Sequence, residues 1–301
     1  MNPADATGAG AITVAAPAKI NLYLHLLGRR DDGYHLLDSL IVFLDFADTV
    51  SVSLADGLSL GLSGDCAPAL EGGKDNLVLA AARALAEAGG CQGGAAIELT
   101  KRVPVAAGLG GGSADAAAAL LALSALWGLE IPAPGLADIA LGLGADVPVC
   151  LESRPTFVGG IGQELEPAPS LPPVWATLVN PGKALATKDV FAAHGGGFTR
   201  PGRFTASLED AGALANRLAP LGNDLTAAAV ALAPGIGEVL KAIEASTGCL
   251  LARMSGSGAT CFGLYADEAG ATAAAAGVFG AAHPDWRIDV ARLIAGRSDL
   301  D

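Results

Sequence analysis

Four glycines, Gly108, Gly110, Gly111 and Gly112, stand immediately before Ser113 in the stretch PVAAGLGGGSADAAAALLAL, which runs from Pro104 to Leu123. Glycine lets a backbone take positive φ and approach a ligand closely, because no Cβ intervenes. The first amides of a helix lack internal partners and carry the positive end of its dipole. A glycine loop that feeds a helix start is therefore suited to holding an anion, most often phosphate. The common phosphate motifs do not fit. Walker A requires Gly-Lys-Ser/Thr at the end of the loop, and this one ends Gly112-Ser113-Ala114. The dinucleotide fingerprint, counted from Gly108 and Gly110, finds Ser113 where a third glycine or alanine belongs. The plainer alternative is a flexible linker with Ser113 as an ordinary N-cap.

Four other segments carry polar groups in apolar surroundings. Lys19 and Asn21 open a strand in PAKINLYLHL (17–26). Tyr34 and His35 follow a turn in DDGYHLLDSL (31–40). Asp146 precedes an apolar run, read as a strand, in GADVPVCL (144–151). Ser255-Gly256-Ser257-Gly258 form a second glycine turn in RMSGSGATCFGLY (253–265). Singly each is weak, since a strand-end lysine or a loop aspartate is most often a solvated charge.

The elements that must position these groups follow from periodicity. Strands are expected at Ile12–Ala16, Ile20–Leu27, Leu36–Leu44, Thr49–Leu54 and Ala95–Thr100, with a turn cluster at Gly28–Gly33. Asn76–Ala88 reads as a helix closed by Gly89-Gly90, and helices are expected at Ser113–Trp127 and about Leu136–Leu143. The proline-rich interval Glu166–Pro173 is the candidate boundary, dividing the chain into 1–165 and 166–301. Beyond it a strand is expected at Val174–Asn180. Helices follow near Thr187–Ala193, Leu225–Leu232 and Ile236–Ala245, then a hairpin across Cys249–Tyr265, a helix near Glu268–Phe279 and a strand near Arg287–Leu293. Strands and helices mix without strict alternation, which indicates an α+β class.

Composition narrows the function classes. The 301 residues are 51% hydrophobic and carry a net charge of −13, which supplies a core and disfavours a nucleic-acid or anionic-membrane surface. A phosphate ligand must be held locally against that field. Five cysteines with no C-x-x-C pair read as reduced thiols in the core of a cytoplasmic protein. Met1–Gly10 has no signal-peptide pattern and reads as a frayed tail. The longest apolar run, near Ala116–Trp127, is shorter than the roughly 18 residues that span a bilayer.

In their order along the chain, the lysine segment, GLGGGS, GADVP and SGSGA resemble the GHMP kinase superfamily of small-molecule kinases. The resemblance covers nearly the whole chain. It implies a two-domain fold, with an N-terminal ribosomal-protein-S5-domain-2-like domain for ATP binding and catalysis and a C-terminal ferredoxin-like domain. It also implies ATP and Mg²⁺ as cofactors. PAKINLYLHL together with DDGYHLLDSL is similar to the branch that phosphorylates a cytidine-diphosphate sugar alcohol on the way to isoprenoid precursors.

Within that resemblance, Asp146 is the implied base for the substrate alcohol and Lys19 its partner. An aspartate suffices as base if the proton leaves late in a loose transition state. The alternative is a structural ion pair. Pro104, Val105, Ala106, Ala107, Gly108, Leu109, Gly110, Gly111, Gly112, Ser113 and Ala114 are the implied ATP cradle. Any metal role rests on Ser113 alone or on another element, because Ala114 replaces a second hydroxyl found in many superfamily loops. Asn76 and Lys101 match positions beside the adenine, with a helix N-cap and a surface charge as their plainer roles. Asn21, Tyr34, His35, Thr187 and Phe191 are the implied substrate residues. Tyr34 and Phe191 are expected to stack on the cytosine faces while His35 reads its edge. His25 reads as structural, and His194 and His283 receive no role. A monomer or weak homodimer is expected, with no nucleic-acid or membrane partner. The competing readings are another superfamily kinase, for homoserine, mevalonate or a sugar, and a non-catalytic nucleotide-binding module.

Overall fold

The computed structural model describes residues 10–70, 76–279 and 285–300. The expected tail at 1–9 and His283 lie outside them. The chain begins with β1 (Ile12–Arg29), β2 (His35–Ala55) and β3 (Leu58–Ser63), followed by α1 (Leu77–Gly89) and β4 (Gly94–Thr100). Three helices come next, α2 (Gly111–Trp127), α3 (Ala133–Leu143) and α4 (Val147–Glu152), then β5 (Thr156–Gly160), β6 (Glu164–Pro167) and β7 (Trp175–Asn180). Four more helices, α5 (Thr187–Ala193), α6 (Ala211–Leu218), α7 (Thr226–Leu232) and α8 (Gly235–Glu244), precede β8 (Leu251–Met254) and β9 (Cys261–Tyr265). The chain closes with α9 (Glu268–Ala274) and β10 (Arg287–Ile294). The α+β class expected from the pattern is the observed one. Among the described residues, no helix is long and apolar enough to cross a membrane.

The chain packs into two compact units. One takes the described residues of Met1–Pro17, Ala47–Val105 and Gly111–Leu151, and the other takes those of Ala18–Phe46, Ala106–Gly110 and Glu152–Asp301. The division at 165/166 runs along the sequence. This grouping is by packing, and β1, β2 and the glycine-rich loop each supply residues to both units.

In the first unit β4 lies between β3, its parallel neighbour, and the second half of β2, its antiparallel neighbour (Thr49 opposite Thr100, Ala55 opposite Gly94). α1 packs on α2. Asn76 caps α1, its Oδ1 accepting the Val78 N–H at 2.8 Å, and Gly90 at φ 61° ends it in the left-handed conformation that glycine tolerates. α2 is apolar on every side, and Ala114, Ala116–Leu120, Ala122 and Leu123 are all buried.

In the second unit the first half of β2 pairs with β5, and β5 with β6. Phe43 and Leu44 of β2 meet β10, which begins an antiparallel run β10-β7-β9-β8. Ile236, Val239 and Ile243 line one face of α8 and join Leu24, Leu26 and Met254 in the core.

Several expectations need correction. The first four expected strands are two long ones, because sheet pairing carries β1 through Pro17 and β2 through Asp45–Asp48. VPVCLE is helix α4 and not a strand. A short apolar run does not distinguish the two, and Pro148 is tolerated in a first helical turn. α2 begins at Gly111, so Ser113 lies in its first turn and is not its N-cap. β3, β5, β6 and α6 have no counterpart in the reading. Of the five cysteines only Cys150 and Cys261 are buried; Cys66, Cys91 and Cys249 are half-buried.

Candidate active site

In the second unit, loop residues 106–110 meet the lysine strand. Positive φ recurs at Ala106 (52°), Gly108 (79°) and Gly110 (66°), the kind of backbone that turns successive amides into an anion-binding concavity. A Cβ on Gly108 would stand 2.5 Å from the Ser255 carbonyl oxygen, and one on Gly110 would stand 2.7 Å from Lys19 Cγ. Only glycine fits at either place. The Lys19 N–H donates to the Leu109 carbonyl at 2.9 Å. Lys19 is buried, unlike most strand-end lysines, and its ammonium donates to Asn21 Oδ1 at 2.9 Å. Asn21 Nδ2 donates to Ser39 Oγ at 2.8 Å, and Ser39 Oγ donates to the Tyr23 carbonyl at 2.6 Å.

The Ser255–Gly258 turn belongs to this group. Ser255 Oγ donates to the Gly108 carbonyl at 2.8 Å and accepts the Asn21 N–H at 3.3 Å. Its backbone pairs with Thr260, whose N–H reaches the Ala107 carbonyl at 3.1 Å. The turn thus ties the glycine loop to β1. Below it the Asp38 carboxylate accepts from Tyr23 OH (2.8 Å), the Gly202 N–H (2.7 Å) and Arg203 Nε (2.7 Å). Burial, reinforced by that bond to Asp38, pushes the Tyr23 phenol far above its ordinary range.

The first unit holds the rest of the loop's surroundings. Pro104 and Val105 follow the end of β4; Gly111 and Ala114 are buried at the start of α2, Ser113 is half-buried and Gly112 exposed. Lys101 is fully buried and is no surface charge. Its ammonium is shared between Asp48 and Asp115 Oδ2, the latter at 2.7 Å. Asp48 also accepts the N–H groups of Arg102 (2.5 Å) and Val103 (2.8 Å). A carboxylate on a helix with no polar side must find a cation, and Asp115 finds Lys101. Asp115 Oδ1 is buried with no hydrogen-bond partner. Burial raises the Asp115 carboxyl to about 7; Lys101 pulls it down and the Asp48 charge pushes it further up. Burial lowers the Lys101 pKa, but the two carboxylates outweigh it and the net direction is upward. Asp146 is half-buried at the start of α4, its carbonyl accepting the Cys150 N–H at 3.3 Å. Among the described residues, no group of three or more His, Cys, Asp or Glu side chains is placed to hold a metal.

The implied base-binding residues lie in the second unit. The turn before them is held by Arg30 N–H to the Tyr34 carbonyl (2.8 Å), with Gly33 at φ 90°. Tyr34 is 61% exposed. The His35 ring lies 5.4 Å from Phe191, tilted by 37°, and 6.0 Å edge-on from His194. Burial, then Arg29 and His194, lower the His35 pKa. His194, which had received no role, lies one turn after Phe191, past the end of α5. Thr187, at the start of α5, hydrogen-bonds Ser257 at 3.0 Å. His25 is structural as read: Gly222 N–H donates to Nε2, so Nδ1 carries the proton given to the Arg200 carbonyl.

Comparison with known proteins decides the family. Residues 76–154 match the GHMP kinases N terminal domain and residues 204–283 the GHMP kinases C terminal. The 4-diphosphocytidyl-2-C-methyl-D-erythritol kinase of Paramagnetospirillum magneticum is 57% identical over 94% of this chain and 99% of its own length. The chain belongs to the GHMP kinases. The enzyme of the same name from Rhodospirillum rubrum is 49% identical over 95% of this chain and 94% of its own. A crystal structure of 4-(cytidine 5'-diphospho)-2C-methyl-D-erythritol kinase superposes with a TM-score of 0.76 at 37% identity, covering 94% of this chain and all of the other. A homoserine kinase from Cytophaga hutchinsonii shares the fold, with a TM-score of 0.71 at 22% identity over 98% of each chain. This GHMP kinase is an ATP-dependent small-molecule kinase with alcohol acceptors in its family.

Proposed function

We propose that this kinase transfers the γ-phosphoryl group of ATP to the 2-hydroxyl of 4-diphosphocytidyl-2-C-methyl-D-erythritol, in the non-mevalonate route to isoprenoid precursors. The observation that carries the reading is the 46–57% identity to kinases of that name over nearly the whole chain. The grouping of His35 with Phe191 beside exposed Tyr34 supports it, because a cytosine offers a π face and a hydrogen-bonding edge.

In the reaction the bond from the γ-phosphorus to the ADP oxygen breaks and a bond to the substrate's 2-oxygen forms. The hydroxyl proton passes to Asp146. The Lys19 ammonium, positioned by Asn21, offsets charge on the transferred group. Loop amides from Ala106 to Ser113 and the start of α2 hold the phosphates. Pro104, Val105 and Ala114 frame that loop. Asn76 and Lys101 border the adenine, Lys101 by shape, since its ammonium is committed to Asp48 and Asp115. Asn21, Thr187 and Phe191 complete the substrate side. Mg²⁺ is held mainly by phosphates and water in such sites, which suits a loop whose side-chain donor is the single hydroxyl of Ser113. When bound it neutralises phosphate charge. The division at 165/166, a cytoplasmic location and a monomer or weak homodimer belong to the same proposal.

A panel of acceptors with ATP and Mg²⁺ tests the assignment by ADP release. The cytidine-diphosphate methylerythritol is expected to exceed homoserine, mevalonate and galactose in kcat/KM by at least about 1,000-fold, as expected where a site hydrogen-bonds its substrate's base. Preference for any of the other three overturns it.

A further inference from the structure

Ser39 is 2% exposed, takes no part in the reaction described above, and stands one hydrogen bond away from Asn21, which in turn holds the Lys19 ammonium. We propose that Ser39 is a positioning residue for phosphoryl transfer: its hydroxyl fixes which way the Asn21 amide faces, and through the amide the place of the Lys19 ammonium. The inference rests on the role proposed for Lys19.

The argument is a count of protons. A serine hydroxyl has one, and Ser39 gives its proton to the Tyr23 carbonyl at 2.6 Å. Toward Asn21 it therefore presents only a lone pair. The group that meets it at 2.8 Å must be the amide nitrogen, Nδ2, which turns Oδ1 the opposite way to accept from Lys19 Nζ at 2.9 Å. Turning the amide over would set Oδ1 against an oxygen with no proton to give and Nδ2 against an ammonium. Both contacts would repel. Lys19, Asn21, Ser39 and Tyr23 are each at most 5% exposed, so water is poorly placed to take over either bond.

The rest of the frame is also hydrogen-bonded. The Asn21 N–H is held by Ser255 Oγ, which is itself held by the Gly108 carbonyl. The Tyr23 phenol is anchored on Asp38. Ser39 is the joint between these fixtures. An ammonium on a four-carbon stem has many rotamers and little intrinsic direction. An oriented acceptor such as Asn21 Oδ1 narrows that choice.

The test is a Ser39 series assayed for kcat, both KM values and thermal unfolding, on whichever acceptor the wild type uses in the substrate panel. Ser39→Ala and Ser39→Cys are expected to lower kcat by roughly 30- to 100-fold, the scale of an ångström-sized misplacement. KM for ATP and for the acceptor should stay within about threefold of wild type, since the loss falls on the transition state. Ser39→Thr keeps the hydroxyl and should recover at least about a third of wild-type kcat. Cysteine is close to serine in volume, so it carries the test if the alanine variant does not fold. Retention of more than half of wild-type kcat in the cysteine variant would overturn the proposal, as would a threonine variant no better than cysteine. A wild type that uses its acceptor while the series stays flat refutes the role of Ser39 alone. A wild type that phosphorylates nothing refutes the assignment of function, and this inference with it.

Discussion

Lys101 and Lys19 are both buried beside the glycine-rich segment, and the structure holds them in opposite ways. Lys101 is locked between two carboxylates, and its charge is what allows Asp48 and Asp115 to exist inside the first unit. Lys19 donates to a neutral amide oxygen, that of Asn21, a bond that helps set the position of its ammonium. The first arrangement suits a counter-ion; the second orients an ammonium from a side chain on its own strand. Burial alone distinguishes nothing; the partner does.

This contrast breaks most sharply in paired substitutions. Lys19→Met should lower kcat by roughly 100- to 1,000-fold while leaving the denaturation midpoint close to wild type. Lys101→Met should instead cost about 3–5 kcal/mol of stability in urea unfolding, because it strands two buried carboxylates. A stable Lys101 variant, or an unstable Lys19 variant with normal turnover, would reverse the assignment.

A smaller effect sharpens the same comparison through pH. The folded Asp115 carboxyl titrates near 7, above the ordinary aspartate value of about 3.9. Between those values the folded chain keeps a proton that the unfolded chain has lost, so stability falls as pH rises and levels off above about 7. Asp115→Asn removes that contribution. Its unfolding free energy relative to wild type should improve by on the order of 1 kcal/mol between about pH 5 and pH 8. An unchanged difference would show that Asp115 is ionised throughout.

The two regions were unequally legible in the sequence. The loop could be read because its demand falls on residue type: positive φ at Gly108 and Gly110, and no room for a Cβ at either, require glycine wherever they occur. Lys19 and Asn21 stood at the start of a strand, and the family resemblance, not their spacing, singled them out. The Lys101 cage was not legible, because Asp48 is 53 residues away and the meeting is made by sheet pairing between β2 and β4. Asp115 sits in an alanine-rich helix, and its cation lies 14 residues back, just past the end of β4. Ser39 gave no signal at all; a serine among apolar neighbours on a strand looks like any other. α4 was misread because four apolar residues around a proline suit either period. Local backbone requirements are written in composition, while long-range polar pairing appears only once the strands are aligned.

The account depends on Asp146 receiving the acceptor's proton while Lys19 bears on the transferred phosphoryl group. Steady-state turnover and equilibrium ATP binding of Asp146→Asn measure this directly. The expected result is a kcat lower by about 100- to 10,000-fold, the range for loss of a general base, with the ATP dissociation constant within about threefold of wild type. Turnover near the wild-type rate, or a variant whose only defect is weak ATP binding, would contradict it.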